Sequence, residues 1–505
     1  MPAMLFRSAV ALVLLFAMPC ASAVRLNPRG IGQVLIYPYY TVNKSQDTLI
    51  SVANASDISK AVQVRFREGY DGRSTLDFVL FLSPHDVWTA SISQTADDGG
   101  AALRTSDTSC TSPAIPANGI AFLTTGFDGT GLVQGDGGPT GVTRTREGSI
   151  ELIVGADITP GSPTDVAVTH VQSGQPGGGV PPGCASLSNP APDEVAPSGG
   201  IFGSGTIVDV GEGTFFPYDA DAIQGFTSTV LFGPTTSAAG VTLDQANSSE
   251  AVAGIATAYI TDADGLPIAL DYAFGIDAVS AVFMADAIEN EYIVAASLGA
   301  NTDWVVTFPT KSFYVDPQYL GVPLPPFEFA FSSPGQSDVA IAGTVYDREQ
   351  AFSEFGGPCS ICPPPLPPPA LPYEVNVIPF QSVQETVSGV FGSNLDGLSI
   401  APSGDAGHVF LDFSGAGAHT LPGAIDANGA AVTLQGLPVA GFMAYNVINA
   451  NAQPGLLANY SGTFPYRRTV SCQNASGGAC SPTIDDATAQ LGGSAMHSRA
   501  GGEGP

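Results

Sequence analysis

Short hydrophobic runs recur along the chain between turn-forming residues. Residues 62–67 alternate strictly between apolar and polar positions, as in a strand with one buried face, and residues 78–82 are continuously apolar, as in a central strand. Further runs lie at 34–37, 49–52, 86–92, 150–154, 166–171, 206–210, 230–232 and 304–308. This spacing predicts a mainly β fold built of β-sandwiches, Ig-like or jelly-roll-like.

Segments rich in Gly, Pro and Asp interrupt the strand pattern at 94–145 and 174–200. Residues of these types favour turns, so both segments predict long loops. We therefore expect a large N-terminal β region at 24–355. It divides into two sandwich subdomains at about 28–145 and 146–350.

Residues 356–372 form the strongest boundary in the sequence, because they combine a C-x-x-C pair with a proline run. Such a run cannot be helical and acts as a semi-rigid spacer. Three further hydrophobic runs follow it, at 374–378, 409–413 and 441–445. They predict a C-terminal β domain at 373–480, followed by a flexible polar tail at 481–505. The best helix candidate in the chain is 285–296.

Composition excludes several classes of function. The chain has 60 Gly and 41 Pro, and its 46 Asp and Glu outweigh 16 Lys and Arg, for a net charge of −30. A strong negative charge repels the phosphate backbone, so nucleic-acid binding is not expected. Binding to an anionic membrane surface is excluded for the same reason. The hydrophobic share of 44% is enough to bury a core.

The first 23 residues predict a secretory signal peptide. Arg7 precedes an apolar run at 9–18 that is too short to span a bilayer, and 21–23 is a small-residue cleavage site. We expect the mature chain to begin at Val24 and to be exported, without membrane insertion after cleavage. Lipidation of Cys20 is the lesser alternative, because the residues before it are not small.

Signal cleavage leaves six of the seven cysteines, and an even number in an exported chain indicates disulfides. Spacing favours three pairs, the last by elimination: Cys472–Cys480, Cys359–Cys362 and Cys110–Cys184. The C-x-x-C pair also fits a redox or zinc site. However, the prolines after it cannot form the helix that would stabilise a thiolate, and no second ligand pair has zinc spacing. A local disulfide is the preferred interpretation.

Asp262-Ala263-Asp264-Gly265 resembles the start of a calcium loop, in which oxygen ligands alternate before a glycine. An EF-hand would need Glu at the twelfth position, where Ala273 stands. A looser Ca²⁺ site on Asp262 and Asp264 and an ordinary Asp-Gly hairpin turn both fit. The turn is favoured, because Asp-Gly is a common hairpin signal. No other cofactor is expected.

Motifs for hydrolysis are missing from the sequence. It contains neither G-x-S-x-G nor H-E-x-x-H, and its five histidines are scattered. Two carboxylate clusters, Asp219/Asp221 and Asp286/Glu289/Glu291, keep glycoside hydrolysis open, because that reaction uses paired carboxylates. No catalytic residue is assigned.

Pro-Tyr-Tyr-Thr at 38–41, the run at 60–68, Leu-Ser-Pro-His-Asp-Val-Trp at 82–88 and the run at 302–311 carry a resemblance. Together they resemble a group of exported proteobacterial proteins that are often labelled only as cell-surface proteins. The resemblance covers about residues 28–470. It implies a secreted, periplasmic or cell-surface protein of a Gram-negative bacterium, and no activity comes with it.

Two functional hypotheses follow. The first is a non-enzymatic surface or extracellular-matrix protein with a structural, adhesive or assembly role, whose partners are other surface proteins or polysaccharide. The second is a carbohydrate-binding protein or a carboxylate-based glycoside hydrolase. Exposed strand edges favour the first, whereas a cleft with two facing carboxylates and a stacking aromatic residue favours the second.

Export predicts a specific N-terminus. Mass spectrometry of the exported protein is expected to find Val24 as the first residue, because the small residues before it match a signal-peptidase site. Detection of an intact Met1 in the mature protein would contradict signal cleavage.

Overall fold

The computed structural model describes residues 23–131, 134–172, 179–187, 190–231, 240–247, 255–261, 265–356, 369–381, 388–415, 419–449, 453, 456 and 458–480. These residues form a mainly β protein with 45% strand and 9% helix, arranged in several antiparallel sheets. The predicted fold class is confirmed at this level. The predicted signal peptide up to residue 22, most of the linker and the whole tail lie outside the described residues.

Residues 25–224 supply the strands of two sheets. The strands are β1 Arg25–Leu26, β2 Val34–Thr41, β3 Asp47–Asn54, β4 Lys60–Glu68, β5 Ser74–Leu82, β6 Val87–Gln94, β7 Ala101–Arg104, β8 Thr111–Ser112, β9 Ile120–Ala121, β10 Glu147–Ile158, β11 Glu194–Val195, β12 Ile201–Asp209, β13 Thr214–Asp219 and β14 Asp221–Gln224. Sheet I has the order β1-β14-β2-β10-β4-β5-β8, with β11 beside β10. Sheet II has the order β13-β12-β3-β6-β7-β9.

Residues 256–474 supply three more sheets and a two-stranded ribbon. The strands are β15 Ala256–Thr261, β16 Pro267–Tyr272, β17 Met284–Ala285, β18 Ala287–Ile293, β19 Ala300–Thr307, β20 Ala342–Asp347, β21 Phe352–Phe355, β22 Val375–Phe380, β23 Ala406–Asp412, β24 Thr420–Asp426, β25 Ala431–Gln435, β26 Leu437–Pro438, β27 Ala440–Val447, β28 Tyr460–Pro465, β29 Arg467–Thr469 and β30 Cys472–Asn474. Sheet III is β15-β16-β24-β25-β30, sheet IV is β21-β20-β23-β18-β29, and sheet V is β22-β19-β27-β28. The ribbon pairs β17 with β26.

The α-helices are short: α1 Pro163–Val168, α2 Gly275–Phe283 and α3 Ser312–Val315. The strand predicted at 166–171 is wrong, because its first half lies in α1 and its second half is not a strand. In α1, Pro163 occupies the first turn and the Ser162 hydroxyl accepts from the Asp165 amide. The helix predicted at 285–296 is also wrong. This segment forms β17 and β18, and α2 ends just before it.

Sheets I and II face each other across one hydrophobic cluster, to which both contribute. Its largest members come from strands recognised in the sequence: Tyr37, Tyr39, Phe66 and Trp88 are almost fully buried. Because alternate residues of a strand point to one face, the strict alternation of β4 places Val62, Val64 and Phe66 together in this cluster.

The predicted subdomain boundary at 145/146 does not describe this pairing. Strand β10 begins at Glu147 and runs between β2 and β4, so it completes sheet I. The first unit therefore extends to β14. Hydrophobic periodicity identified these strands, but periodicity carries no information about which strands pair.

The predicted division at 356–372 differs from the structure in the same way. Strand β22, which follows the linker, pairs with β19, which precedes it, and β23 likewise pairs with β18. The buried Lys311 ammonium donates to the carbonyls of Ser337 (2.7 Å) and Tyr373 (3.0 Å), on either side of the linker. Residues 373–480 thus share their sheets with residues 256–355 and do not form a separate unit.

Sheet V lies at the centre of the molecule. On β19 and β27, Val305 and Phe442 face the cluster of sheets I and II, whereas Trp304 and Met443 belong to the second cluster, formed mainly by residues 241–443. These four residues form two directly opposed pairs across the strands. Sheet V is therefore buried on both faces.

Two carboxylates fasten the segment 388–395 against sheet V and sheet I. Asp303 accepts the amides of Val390 (3.1 Å) and Phe391 (3.0 Å), and burial raises its pKa to about 6. Glu147 accepts the hydroxyl of Tyr39 (2.9 Å) and the amide of Asn394 (2.8 Å). The segment 388–395 has no regular secondary structure. These hydrogen bonds satisfy its buried backbone amides and so allow it to lie in the core.

Buried ion pairs cluster beside the turn between β4 and β5, and the pair of Arg73 with Asp316 joins the two halves. Arg73 donates from two nitrogens to Asp316, at 2.9 and 2.8 Å. Arg144 likewise donates from two nitrogens to the two carboxylate oxygens of Glu68, at 2.7 and 2.9 Å. Such two-point contacts specify orientation as well as attraction. Asp71 lies in the same cluster, and burial together with the neighbouring carboxylates raises its pKa well above the usual range.

Two of the three predicted disulfides are present among the described residues. Cys110–Cys184 joins the two long loops with a Cα–Cα distance of 5.1 Å, and Cys472–Cys480 closes a short loop at 5.5 Å. Cys359 and Cys362 lie outside the described residues. Disulfides indicate an oxidising, extracytoplasmic location. None of the helices in the described ranges has the length and apolarity needed to cross a membrane.

Replacing Arg73 tests the charged junction. Arg73→Met is expected to cost about 3–5 kcal/mol of unfolding free energy, because it leaves Asp316 buried without its partner. The control is Arg348→Met, which breaks an ion pair with Asp405 in which Arg348 is 61% exposed. It is expected to cost less than about 1 kcal/mol. Unfolding free energy is measured by urea unfolding. Equal losses in Arg73→Met and Arg348→Met would show that the buried Arg73–Asp316 pair does not stabilise the contact between the two halves.

The buried carboxyl group of Glu374 is expected to make the free energy of unfolding depend on pH. Burial, and secondarily the charge of Glu151, raises its pKa from 4.5 to about 8. Between these values the folded chain keeps a proton that the unfolded chain releases, so rising pH favours unfolding. Relative to Glu374→Gln, the wild type is expected to lose about 1.4 kcal/mol per pH unit between pH 6 and 7. Parallel stability–pH curves from urea unfolding would refute this.

Candidate functional site

The alternation of strand β18 creates one wall of a groove. Ile288, Asn290 and Tyr292 point into the core and are almost fully buried. Glu289 and Glu291 occupy the positions between them and therefore point outward. The carboxylate cluster noted in the sequence thus lies on the outer face of sheet IV.

The neighbouring strands add rings to the same face. His408 on β23 lies directly opposite both Glu291 on β18 and Tyr346 on β20. The His408 and Tyr346 rings are stacked, with centroids 4.7 Å apart and planes inclined by 10°. The Nε2 atom of His408 is 3.5 Å from Oε1 of Glu289. Stacking and pairing hold the imidazole at the rim of the groove.

Sheet V packs on the other face of β18 and supplies the aromatic wall of the groove. The rings of Tyr445 on β27 and Phe464 on β28 are nearly parallel, at 7°, with centroids 6.0 Å apart. Phe464 is 47% exposed. The Asn290 side chain donates to the carbonyls of Phe464 and Pro465, each at 3.1 Å, and so ties the two walls together.

We call this space the ring groove, and its volume is about 880 Å³. Its defining residues are Glu289, Glu291, Tyr292, His408, Tyr445 and Phe464. Arg467 and Arg348 also line it. Arg467 lies opposite Glu289 in the sheet, and Arg348 is 2.7 Å from Asp405. The groove therefore combines aromatic rings with hydrogen-bond donors and acceptors.

Tyr292 holds an unusual position in the ring groove. Its side chain is 2% exposed and stacks on Phe380, at 5.7 Å and 13°. Its hydroxyl is buried, and within the described part of the chain it has no hydrogen-bond partner. Burial, and then the carboxylates of Asp347 and Asp405, raise its pKa to about 12, so the hydroxyl keeps its proton. It is a donor without an acceptor, which is costly in a protein interior.

This arrangement suits binding better than hydrolysis. Glycoside hydrolysis needs two carboxyl groups that flank the scissile bond. Glu289 and Glu291 instead project side by side from one strand. The third carboxylate at the groove, Asp347, accepts the amides of Glu349 and Ala351 at 2.9 Å each and so caps its own turn. Aromatic walls with a few polar groups are typical of ligand-binding sites.

A larger cleft of about 1010 Å³ lies where the two halves meet, and it contains the predicted pair Asp219 and Asp221. Arg468 is 3.6 Å from Asp221, whose pKa is raised by burial. The ring of Tyr218 stacks on Phe442, 4.9 Å away, and contributes to the core. These two contacts, Arg468 with Asp221 and Tyr218 with Phe442, join the half at residues 25–224 to the half at residues 256–474.

One histidine has neighbours reminiscent of a catalytic triad. Nε2 of His170 is 3.2 Å from the Thr108 hydroxyl, and Nδ1 is 3.5 Å from Asp86 and 3.3 Å from Ser83. In a triad the nucleophilic hydroxyl gives its proton to the histidine. Thr108 instead donates to the carbonyl of Gly179 at 2.8 Å. This contact network therefore holds a loop to the strand ends.

Two further sets of residues were predicted from the sequence. Asp262 and Asp264, the candidate calcium ligands, lie outside the described residues. Asp286 accepts the hydroxyls of Thr469 and Ser471 and so fastens β29 and the chain after it. Over the described ranges, no three His, Cys, Asp or Glu side chains are grouped to hold a metal ion.

Sequence reasoning identified Glu289 and Glu291 but missed His408, Tyr445 and Phe464. Alternation along β23 could have indicated that His408 points outward. Val409 is buried, so the residues on either side of it, His408 and Phe410, lie on the opposite face. Nothing in the sequence placed His408 beside Glu289, because that neighbour comes from strand pairing. No known family model, curated protein or solved structure matches this chain.

Proposed function

We propose that this chain is an exported, non-enzymatic surface protein with an adhesive role, which holds a polysaccharide in the ring groove. The observation that carries the proposal is the pairing of an exposed aromatic wall, Tyr445 and Phe464, with the outward carboxylates Glu289 and Glu291. The C–H groups of a sugar ring are weakly positive and are attracted to the negative face of an aromatic ring.

The placement at the cell surface has separate support. Two disulfides among the described residues fit an oxidising compartment. The negative net charge of −30 disfavours nucleic acid and anionic membranes as partners. A Gram-negative host follows from the resemblance at 38–41, 60–68, 82–88 and 302–311, and it is part of the proposal.

The proposal includes a finer description of the fold. Sheets I and II, whose facing side chains share one hydrophobic cluster, are proposed to be a β-sandwich. Sheet V extends this packing, because its Val305, Val377 and Phe442 side chains join the same cluster.

Glycoside hydrolysis is the second candidate from the sequence, and the ring groove gives it little support. Its two glutamates share one strand and its third carboxylate caps a turn. A surface protein that binds polysaccharide without cleaving it needs no facing carboxylates. Adhesion is therefore the function that the groove supports best.

Truncating the aromatic wall tests the proposal. Phe464→Ala is expected to weaken retention on immobilised polysaccharides about tenfold, as loss of one stacked ring costs on the order of 1 kcal/mol. Retention is measured with a panel of insoluble plant, algal and bacterial polysaccharides, and the products are assayed for new reducing ends, which are not expected.

The matched control is Phe274→Ala, which removes a phenylalanine that is 68% exposed and does not line the groove. It is expected to leave retention unchanged. Equal retention of wild type and Phe464→Ala would contradict binding in the ring groove. Release of reducing ends that is lost in Glu291→Gln would instead establish hydrolysis.

A further inference from the structure

We infer that the ligand of the ring groove is a neutral glycan chain and that the Tyr292 hydroxyl donates a hydrogen bond to it. This inference rests on the proposed function and adds the charge class of the polysaccharide and a residue that selects it. It is carried by two independent features, the charge balance of the groove and the unpartnered Tyr292 hydroxyl.

The charges around the groove disfavour an anionic polymer. Three carboxylates, Glu289, Glu291 and Asp347, face two guanidinium groups. One of these, Arg348, is already paired with Asp405 at 2.7 Å, and the other, Arg467, lies across the sheet from Glu289. An anionic ligand would meet an excess of like charge, in addition to a chain that carries −30 overall.

The carboxylates and guanidinium groups at the groove suit a ligand with hydroxyl groups better than a cationic ligand. Sugar hydroxyls both donate and accept, so they match carboxylates and guanidinium groups lying side by side. A cationic polymer would gain from the glutamates but would be repelled by Arg348 and Arg467. A neutral polyhydroxylated chain can use every polar group at the groove without leaving a charge unpaired.

Tyr292 supplies the second feature. Its hydroxyl is buried at the groove without a partner in the described residues, and it lies beside Gly407. A Cβ atom at position 407 would be 2.9 Å from this hydroxyl and still closer to the backbone oxygen of Tyr346, so the glycine allows the close approach of these strands. A site that offers an unpaired donor discriminates strongly for ligands that accept it, because the donor is satisfied only in the complex.

The substitution Tyr292→Phe removes this donor and little else. Because the hydroxyl has no partner among the described residues of the free protein, its loss is expected to leave the melting temperature unchanged or slightly higher. Affinity for a neutral glycan is expected to fall about tenfold. The control is Tyr272→Phe, since the Tyr272 hydroxyl is also buried and unpartnered there but does not line the groove.

Binding is measured by affinity electrophoresis and calorimetry with soluble galactomannan, β-glucan and arabinoxylan as neutral polymers, alginate as the anionic polymer and chitosan as the cationic one. We expect binding to at least one neutral polymer, with affinity that changes little between low and high salt, since no charge pair is formed. Tyr292→Phe is expected to weaken it and Tyr272→Phe to leave it intact.

The outcomes separate this inference from the proposed function. Binding only to alginate or chitosan, weakened by salt and by Phe464→Ala, would overturn the neutral class while leaving adhesion through the groove in place. Neutral binding that Phe464→Ala weakens and Tyr292→Phe does not would overturn the role of the hydroxyl. Binding to none of the polymers, with adhesion indifferent to Phe464→Ala, would overturn both.

Discussion

The double burial of sheet V is the constraint on which the rest of the structure depends. Val305 and Phe442 pack into the cluster beneath sheets I and II, and Trp304 and Met443 pack into the cluster of the second half. The centre of a sheet buried on both faces is mainly apolar, and β19 and β27 follow this rule except at Asp303, whose carboxylate accepts the amides of Val390 and Phe391. The two halves are therefore held together by one shared layer, and neither half has a complete core without it.

Buried ion pairs near sheet V help to fix the orientation of the elements that they join. The guanidinium group of Arg73 contacts Asp316 of the other half at two points, and that of Arg144 contacts Glu68 at the end of β4 at two points. Buried ion pairs return little net stability, since desolvation offsets attraction. Their two-point geometry nevertheless admits few arrangements. Burial and the neighbouring carboxylates raise the pKa of Asp71 in this cluster well above its usual range.

The ring groove is a consequence of this layering. Sheets IV and V pack against each other through Tyr292, Phe380 and Trp304. The groove lies along β18, and its lining combines the outward glutamates of this strand with the rings that sheet V places on the other side of it. The hydrogen bonds of Asn290 fix the two sheets to each other. A rigid, preformed wall of this kind lowers the ordering cost of binding.

The sequence by itself determined the strand-rich composition, most strand positions and two cysteine pairs, because alternation, turn residues and spacing are local properties. The tertiary structure alone decided which strands pair, and it placed strands from both sides of 145/146 and of 356–372 in the same sheets. It also brought Glu289, Tyr292, His408 and Phe464 together from three separate segments. Pairing between distant strands depends on the whole set of competing partners and on shared burial, and no window of the sequence contains that information.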